Sequence, residues 1–316
     1  MESELILFSG NANLPLAKRI SQYLDIPLGK AQVTQFSDGE TRVELMQNVR
    51  GTDAYLIQPM CSPANHNIME AVIMIDALRR SSAKSIVLVC PYYGYSRQER
   101  KSAPRTPITA KLVADLYEAA GVSRLLTLDL HTSAIQGFFN IPVDHLFAKP
   151  VLVDSVRKSL GKGIENAVVV SPDAGGAERA RAYAKHFGCG MAIIDKRRDR
   201  PNESAVAHII GEVKGKSCVI VDDIVDTAGS LTKAAEALLE AGAESVTAAI
   251  VHPVLSGPAI ERIKNSKLDS LLVTDSIPLT HAALSCEKIQ QVSVSELLAK
   301  AIRRIHNQDS ISKLFI

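Results

Sequence analysis

The stretch Cys218–Thr232, CVIVDDIVDTAGSLT, sets chemically active residue types in a working order. A short apolar run, Val219–Val221, reads as a buried strand that stops at two adjacent carboxylates, Asp222 and Asp223, with Asp226 close behind. The small polar run Thr227, Ala228, Gly229, Ser230 follows. Leu231, Ala234, Ala235 and Leu238 then recur at helical spacing. Strand, loop and helix start together make a cradle for a phosphate, because free N–H groups and the positive end of the helix dipole face the anion. Gly229 lets the backbone approach closely. The carboxylates cannot serve the phosphate, since like charges repel. They suit hydroxyl groups, which donate hydrogen bonds, or a metal ion. A sugar phosphate satisfies both halves of the run.

An acidic strand end joined to a capped helix is also an ordinary junction of α/β proteins. What sets this one apart is that acids, glycine and hydroxyls occur together. The run resembles the phosphoribosyl-diphosphate-binding motif of the type I phosphoribosyltransferase fold. That likeness implies a fold and a ligand class, and leaves the reaction open.

Around this segment, short β-branched runs alternate with amphipathic helical patterns. Strands are expected at Leu5–Phe8, Ala54–Gln58, Ile86–Cys90, Leu125–Asp129, Ala167–Val170, Met191–Ile194, Cys218–Val221, Val246–Val251 and Leu271–Thr274. Helices are expected at Leu14–Leu24, Asn67–Arg80, Thr109–Ala119, Ala177–His186, Leu231–Ala241 and Ser295–His306. Such alternation predicts an α/β protein with mainly parallel sheets flanked by helices. Each half carries a strand ending in proline (VLVCPYY, AAIVHPVL) and then a strand ending in aspartate (LLTLDLH, LLVTDS). The duplication suggests two similar halves, and with the resemblance of the Cys218–Thr232 run it implies two tandem type I phosphoribosyltransferase-like domains, 1–147 and 148–316, with the last helix expected to pack back on the first.

Composition narrows the classes. A length of 316 residues suits about two domains, and 46% hydrophobic residues can fill their cores. Lys and Arg number 36 against 34 Asp and Glu, so no global charge favours nucleic acid or a membrane. The absence of Trp weakens any model based on base stacking. Five scattered cysteines without a CxxC fit buried thiols in a reducing cytoplasm better than disulfides or zinc. The N-terminal segment lacks the basic region and the apolar length of a signal peptide.

Further segments carry candidate chemistry. DLHTSAIQGFFNIPVD (Asp129–Asp144) places Asp129 and His131 at a strand end, where ligands of parallel sheets collect. SPDAGGAERA (Ser171–Ala180) places Asp173 before two glycines and a helix, an arrangement that serves tight packing equally well. FSDGE (Phe36–Glu40) is by itself a turn signal, and PYYGYSRQERK (Pro91–Lys101) by itself a basic loop. DKRRDRPN (Asp195–Asn202) is charged enough to stay a solvated loop until anions order it, which suits a lid.

Together these segments resemble the ribose-phosphate diphosphokinase family over the entire chain. The resemblance implies transfer of the β,γ-diphosphoryl group of ATP to ribose 5-phosphate, releasing AMP. It implies ATP contacts at Phe36, Asp38, Gly39, Glu40, Arg97 and Gln98, with Phe36 stacked on the adenine of a neighbouring subunit's ATP. Arg100 and Lys101 add positive charge near the phosphates. His131 and Asp173 match metal contacts, for Mg²⁺, and Lys196 and Arg198 the catalytic loop. Arg198, Asp222, Asp223, Asp226, Thr227, Ala228, Gly229 and Ser230 match the ribose 5-phosphate site. Arg50, Ser82, Ser310 and Ser312 resemble a regulatory anion site, where inorganic phosphate activates and ADP inhibits many members. The family also implies a cytoplasmic homo-oligomer, normally a hexamer. Asn48, Ala134, His145 and Asp199 depart from common family residues (Ser, Gln, Asn and Pro), which leaves the regulation open. Rival readings are a phosphoribosyltransferase, a transcription regulator and a catalytically silent subunit. The first leaves DLHTSAIQGFF unexplained, the second lacks a basic DNA-reading helix, and the third is opposed by the uninterrupted segments around His131, Lys196 and Arg198.

Overall fold

A computed structural model describes residues 3–197 and 206–314. In chain order the elements begin β1 (Leu5–Ser9), α1 (Leu14–Leu24), β2 (Ala31–Gln35), β3 (Thr41–Leu45), β4 (Asp53–Ile57), α2 (Ala64–Arg80) and β5 (Ser85–Cys90). They continue α3 (Thr109–Ala120), β6 (Arg124–Leu128), β7 (Val143–Leu146), α4 (Lys149–Leu160), β8 (Ala167–Ser171), α5 (Ala177–Phe187) and β9 (Gly190–Arg197). Then come β10 (Val206–Ile210), β11 (Ser217–Val225), α6 (Gly229–Glu240), β12 (Ser245–Pro253), α7 (Ala259–Asn265), β13 (Ser270–Thr274), α8 (His281–Leu284), β14 (Ile289–Val292) and α9 (Ser295–His306).

The described residues form two compact units. One takes in 3–148, 276–278 and 293–314, the other 149–197, 206–275 and 279–292. The first unit holds a five-stranded parallel sheet in the order β1-β4-β5-β6-β7, and a separate antiparallel hairpin, β2-β3. Its core is built by Phe8, Leu56, Met74, Leu88, Tyr117 and their neighbours. Helix α1 starts where Asn13 accepts from Leu16 N at 3.3 Å, with Pro15 in its first turn. Helix α9 packs on α1, and Arg303 donates to Leu24 O at 2.8 Å, satisfying a carbonyl that the helix end would leave open.

The second unit holds a seven-stranded sheet ordered β10-β9-β8-β11-β12-β13-β14, parallel except that β10 runs against β9. Strands β8 and β13 are buried at every residue, which is why they read as unbroken apolar runs. From β8 the chain builds outward to β9, then returns to lay β11 on the other side of β8. That reversal opens a crevice at the carboxyl ends of β8 and β11, the place where open α/β sheets bind ligands.

Two expectations need correction. Strand β11 does not stop at Asp222: it runs to Val225, because β12 continues beside it and pairs Ile224 with His252 and Val225 with Pro253. Helix α6 starts at Gly229, two residues before the first apolar position of its stripe. The expected strand list also omits β2, β3, β7, β10 and β14. The cysteines are free, and four of the five are buried.

Candidate active site

In the second unit, the two loops at the strand reversal hold several of the residues singled out in the sequence. After β11, Asp226 and Thr227 turn the chain, and Ala228 caps α6 in a left-handed conformation, φ +59°. A residue with a Cβ holds that conformation at a cost of about 1–3 kcal/mol, and such outliers gather at binding sites. The turn leaves the first N–H groups of α6 facing outward at the carboxyl end of the central strand. Thr227 and Ser230 are exposed there.

Beside that loop the acid pair is organised by a residue that the sequence did not single out. Arg179, on α5, places Nη1 3.0 Å from Asp222 Oδ1 and 3.3 Å from Asp223 Oδ1. Asp223 N also donates to Asp222 Oδ1 at 2.9 Å. Burial, reinforced by the negative charge of Asp223, pushes the Asp222 carboxyl up to about 7, and Arg179 offsets only part of this. Nothing in the sequence pairs Arg179 with acids 43 residues away. Its place on the helix after the Asp-Gly-Gly loop was the one available hint.

The loop after β8 is held by its own residues. Asp173 is exposed, and its Oδ1 accepts from Gly176 N at 3.0 Å. Ser171 Oγ donates to the carbonyl of Asp173 at 2.7 Å. A Cβ on Gly176 would stand 2.7 Å from Ser171 Oγ, so this turn requires glycine. Lys196 stands in β9, while Arg198 and Asp199 lie outside the described residues.

In the first unit, the FSDGE segment is the tip of the β2-β3 hairpin. Phe36 N donates to Glu40 O at 2.8 Å, Gly39 N to Phe36 O at 2.9 Å, and Glu40 N to Asp38 Oδ1 at 3.1 Å. Phe36 is 51% exposed, an unusual state for phenylalanine, with the Arg42 guanidinium 6.0 Å from its ring centre. Beneath the hairpin, Glu70 on α2 is 1% exposed and holds Asn11, which in turn reaches β2. Its carboxylate accepts from Asn11 N at 2.6 Å, from Asn11 Nδ2 at 2.8 Å and from Gln58 Nε2 at 2.8 Å. Asn11 Nδ2 also reaches Val33 O in β2 at 3.3 Å.

Arg97 and Gln98 follow β5 on a short 3₁₀ turn and are exposed. Tyr95, just before it, has φ +58°, and Gln98 accepts from the Thr109 hydroxyl at 2.6 Å. After β6, Asp129 is buried with φ +35°, and its carboxylate accepts from Ala148 N at 2.6 Å. His131 is exposed at this strand end. The intervening Leu130 N donates to Nε2 of buried His145 at 2.9 Å, so a position that departs from the common family residue has a structural task. The candidate anion residues meet in two pairs. Arg50 Nη1 donates to Ser82 Oγ at 3.2 Å, and Ser310 Oγ to Ser312 Oγ at 3.0 Å. Among the described residues no hydrogen bond joins the two pairs.

A mainly parallel sheet whose strand order reverses at β8 and β11, with a helix-start loop and an acid pair at that reversal, defines a class of α/β proteins whose ligand sites lie at the carboxyl ends of the strands. Comparison with known proteins narrows it. Residues 5–121 match the N-terminal domain of ribose phosphate pyrophosphokinase, and residues 198–316 match the phosphoribosyl synthetase-associated domain. A ribose-phosphate pyrophosphokinase of Marinomonas sp. is 54% identical over 315 residues, 99% of each chain. One from Brucella melitensis is 54% identical over 309 residues, 98% of this chain and 99% of that one. The crystal structure of phosphoribosylpyrophosphate synthetase from Mycobacterium smegmatis superposes with a TM-score of 0.91 at 38% identity, covering 97% of this chain and 100% of that one. The chain belongs to the ribose-phosphate pyrophosphokinase family.

Proposed function

We propose that this chain transfers the β,γ-diphosphoryl group of ATP to the C1 hydroxyl of ribose 5-phosphate. The products are 5-phospho-α-D-ribose 1-diphosphate, for nucleotide biosynthesis, and AMP. The observation that carries this reaction, over other uses of a sugar phosphate, is the 54% identity along 99% of a ribose-phosphate pyrophosphokinase. A bond forms between the ribose O1 and the β-phosphorus. The bond from that phosphorus to the oxygen bridging the α-phosphate breaks, AMP leaves with the electron pair, and the O1 proton passes to solvent.

Such chemistry asks the protein mainly for positioning and charge neutralisation. The N–H groups and hydroxyls of Thr227–Ser230 hold the 5-phosphate. Asp222, Asp223 and Asp226 accept hydrogen bonds from ribose hydroxyls. Phe36 stacks on adenine, Asp38, Gly39 and Glu40 border the nucleotide, and Arg97 and Gln98 hold it. Lys196 and Arg198 meet the charge that grows on the transferring group.

His131 and Asp173 are the candidate metal contacts. Among the described residues no three His, Cys, Asp or Glu side chains gather into a cage. An exposed carboxylate such as Asp173 fits Mg²⁺, which takes few protein ligands and keeps waters and substrate phosphates. When bound, Mg²⁺ neutralises charge on the ATP phosphates. In this reading the chain works as a homo-oligomer, a hexamer, in which exposed Phe36 serves a neighbouring subunit. Arg50, Ser82, Ser310 and Ser312 are candidates for an activating inorganic phosphate. A cytoplasmic setting fits the free thiols, and among the described residues no helix is long and apolar enough to cross a membrane.

The site reading is tested by Lys196→Ala and Arg198→Ala. Each should lower kcat about 10²–10³-fold, by analogy with loss of one donor to a developing charge, while the KM for ATP stays within about threefold. Wild-type turnover in both variants would remove the loop from the mechanism.

A further inference from the structure

Arg262, on α7, belongs to none of the segments so far given a chemical task, yet it supports the phosphate loop from outside. Its Nη1 donates to Thr227 O at 2.9 Å. A Cβ on Gly229 would stand 3.1 Å from the same nitrogen, so the guanidinium lies against two residues of the loop. The segment leading into α7 braces the same turn. Leu255 N donates to Val225 O at 3.1 Å, Ser256 N to Asp226 O at 3.1 Å, and Ser256 Oγ to the Asp226 carboxylate.

In an anion-holding loop the N–H groups face the ligand and the carbonyls face away. Thr227 C=O and Ala228 N–H belong to one peptide unit. A positive charge on that oxygen polarises the unit and strengthens the N–H as a donor. The same contact fixes the peptide preceding Ala228, whose φ of +59° needs support from its surroundings. The guanidinium also adds positive charge beside the loop.

We infer that Arg262 is a positioning residue for the sugar 5-phosphate: it polarises and fixes the Thr227–Ala228 peptide so that the loop binds the dianion. The inference rests on the reading of Thr227–Ser230 as the 5-phosphate loop.

Steady-state kinetics on the full chain, with Arg262→Gln and Arg262→Lys, tests it. Arg262→Gln should raise the KM for ribose 5-phosphate about tenfold, the usual weight of a charge-assisted hydrogen bond. The KM for ATP and kcat should stay within about twofold. Arg262→Lys keeps the charge without the planar fork and should raise the same KM only about threefold. Equal losses in kcat and in both KM values would mean a merely structural role and overturn the inference, as would an unchanged KM for ribose 5-phosphate. If Arg262→Gln fails to fold, the Lys variant decides alone: a selective rise supports the inference and no rise overturns it. Ser230→Ala separates the two levels. If it leaves the KM for ribose 5-phosphate unchanged, the loop itself has been misread; if that KM responds to Ser230 but not to Arg262, only the role of Arg262 falls.

Discussion

The Arg179 guanidinium lies 3.0 Å from the Asp222 carboxylate and also reaches Asp223, so one cation answers two acids in the last residues of β11. The balance is incomplete: burial, with the negative charge of Asp223, outweighs Arg179 and pushes the Asp222 carboxyl up to about 7. A carboxyl raised in the folded state is ionised more readily in the unfolded chain. Its cost to stability is absent below the unfolded value near 4, grows as pH rises, and levels off above about 7.

Asp222→Asn removes that cost. The melting temperature of the variant relative to wild type should therefore shift upward between pH 5 and pH 8, by a few degrees. Turnover with ribose 5-phosphate should fall at both pH values. A relative melting temperature independent of pH would show that Asp222 is ionised without penalty. This stability trade is the kind expected where charges are gathered for a ligand and not for the fold.

His145 accepts from Leu130 N beside His131. His145→Ala leaves a buried N–H without that acceptor, a loss of about 1–3 kcal/mol. Urea unfolding should show it as a lower midpoint at unchanged slope. Because the contact sits one residue from His131, kcat should fall more than the KM for ATP rises. A midpoint equal to wild type would mean that the loop finds another acceptor.

Glu70→Gln replaces an acceptor of three N–H groups by an amide that must turn one of its own N–H groups toward them. The expected cost is about 1–3 kcal/mol in chemical denaturation. Since Glu70 holds Asn11, which reaches Val33 in the hairpin that carries Phe36, the KM for ATP should rise while that for ribose 5-phosphate holds. If both constants hold, the hairpin takes no part in ATP binding.

The sequence showed the strand-loop-helix unit around Asp222–Ser230 clearly because its apolar run, acids and small residues are contiguous. It did not show where β11 ends. Ile224 and Val225 remain in the sheet because β12 continues alongside, and a partner strand is invisible to local periodicity. Strand β14 escaped because its centre is two glutamines, and the β2-β3 hairpin because it is half-exposed and polar on one side. Arg179, Arg262 and Glu70 were missed for one reason. Each acts on residues 12 or more positions away, and on its own helix reads as an ordinary polar residue. His145 was noticed only as a departure, and its bond to Leu130 N came from the fold.

The most direct measurement is phosphorus NMR of the purified protein turning over ATP, ribose 5-phosphate and Mg²⁺. The account predicts AMP together with a new diphosphate on ribose C1, formed in equal amounts. ADP with a singly phosphorylated sugar, or no turnover from folded protein, would contradict it.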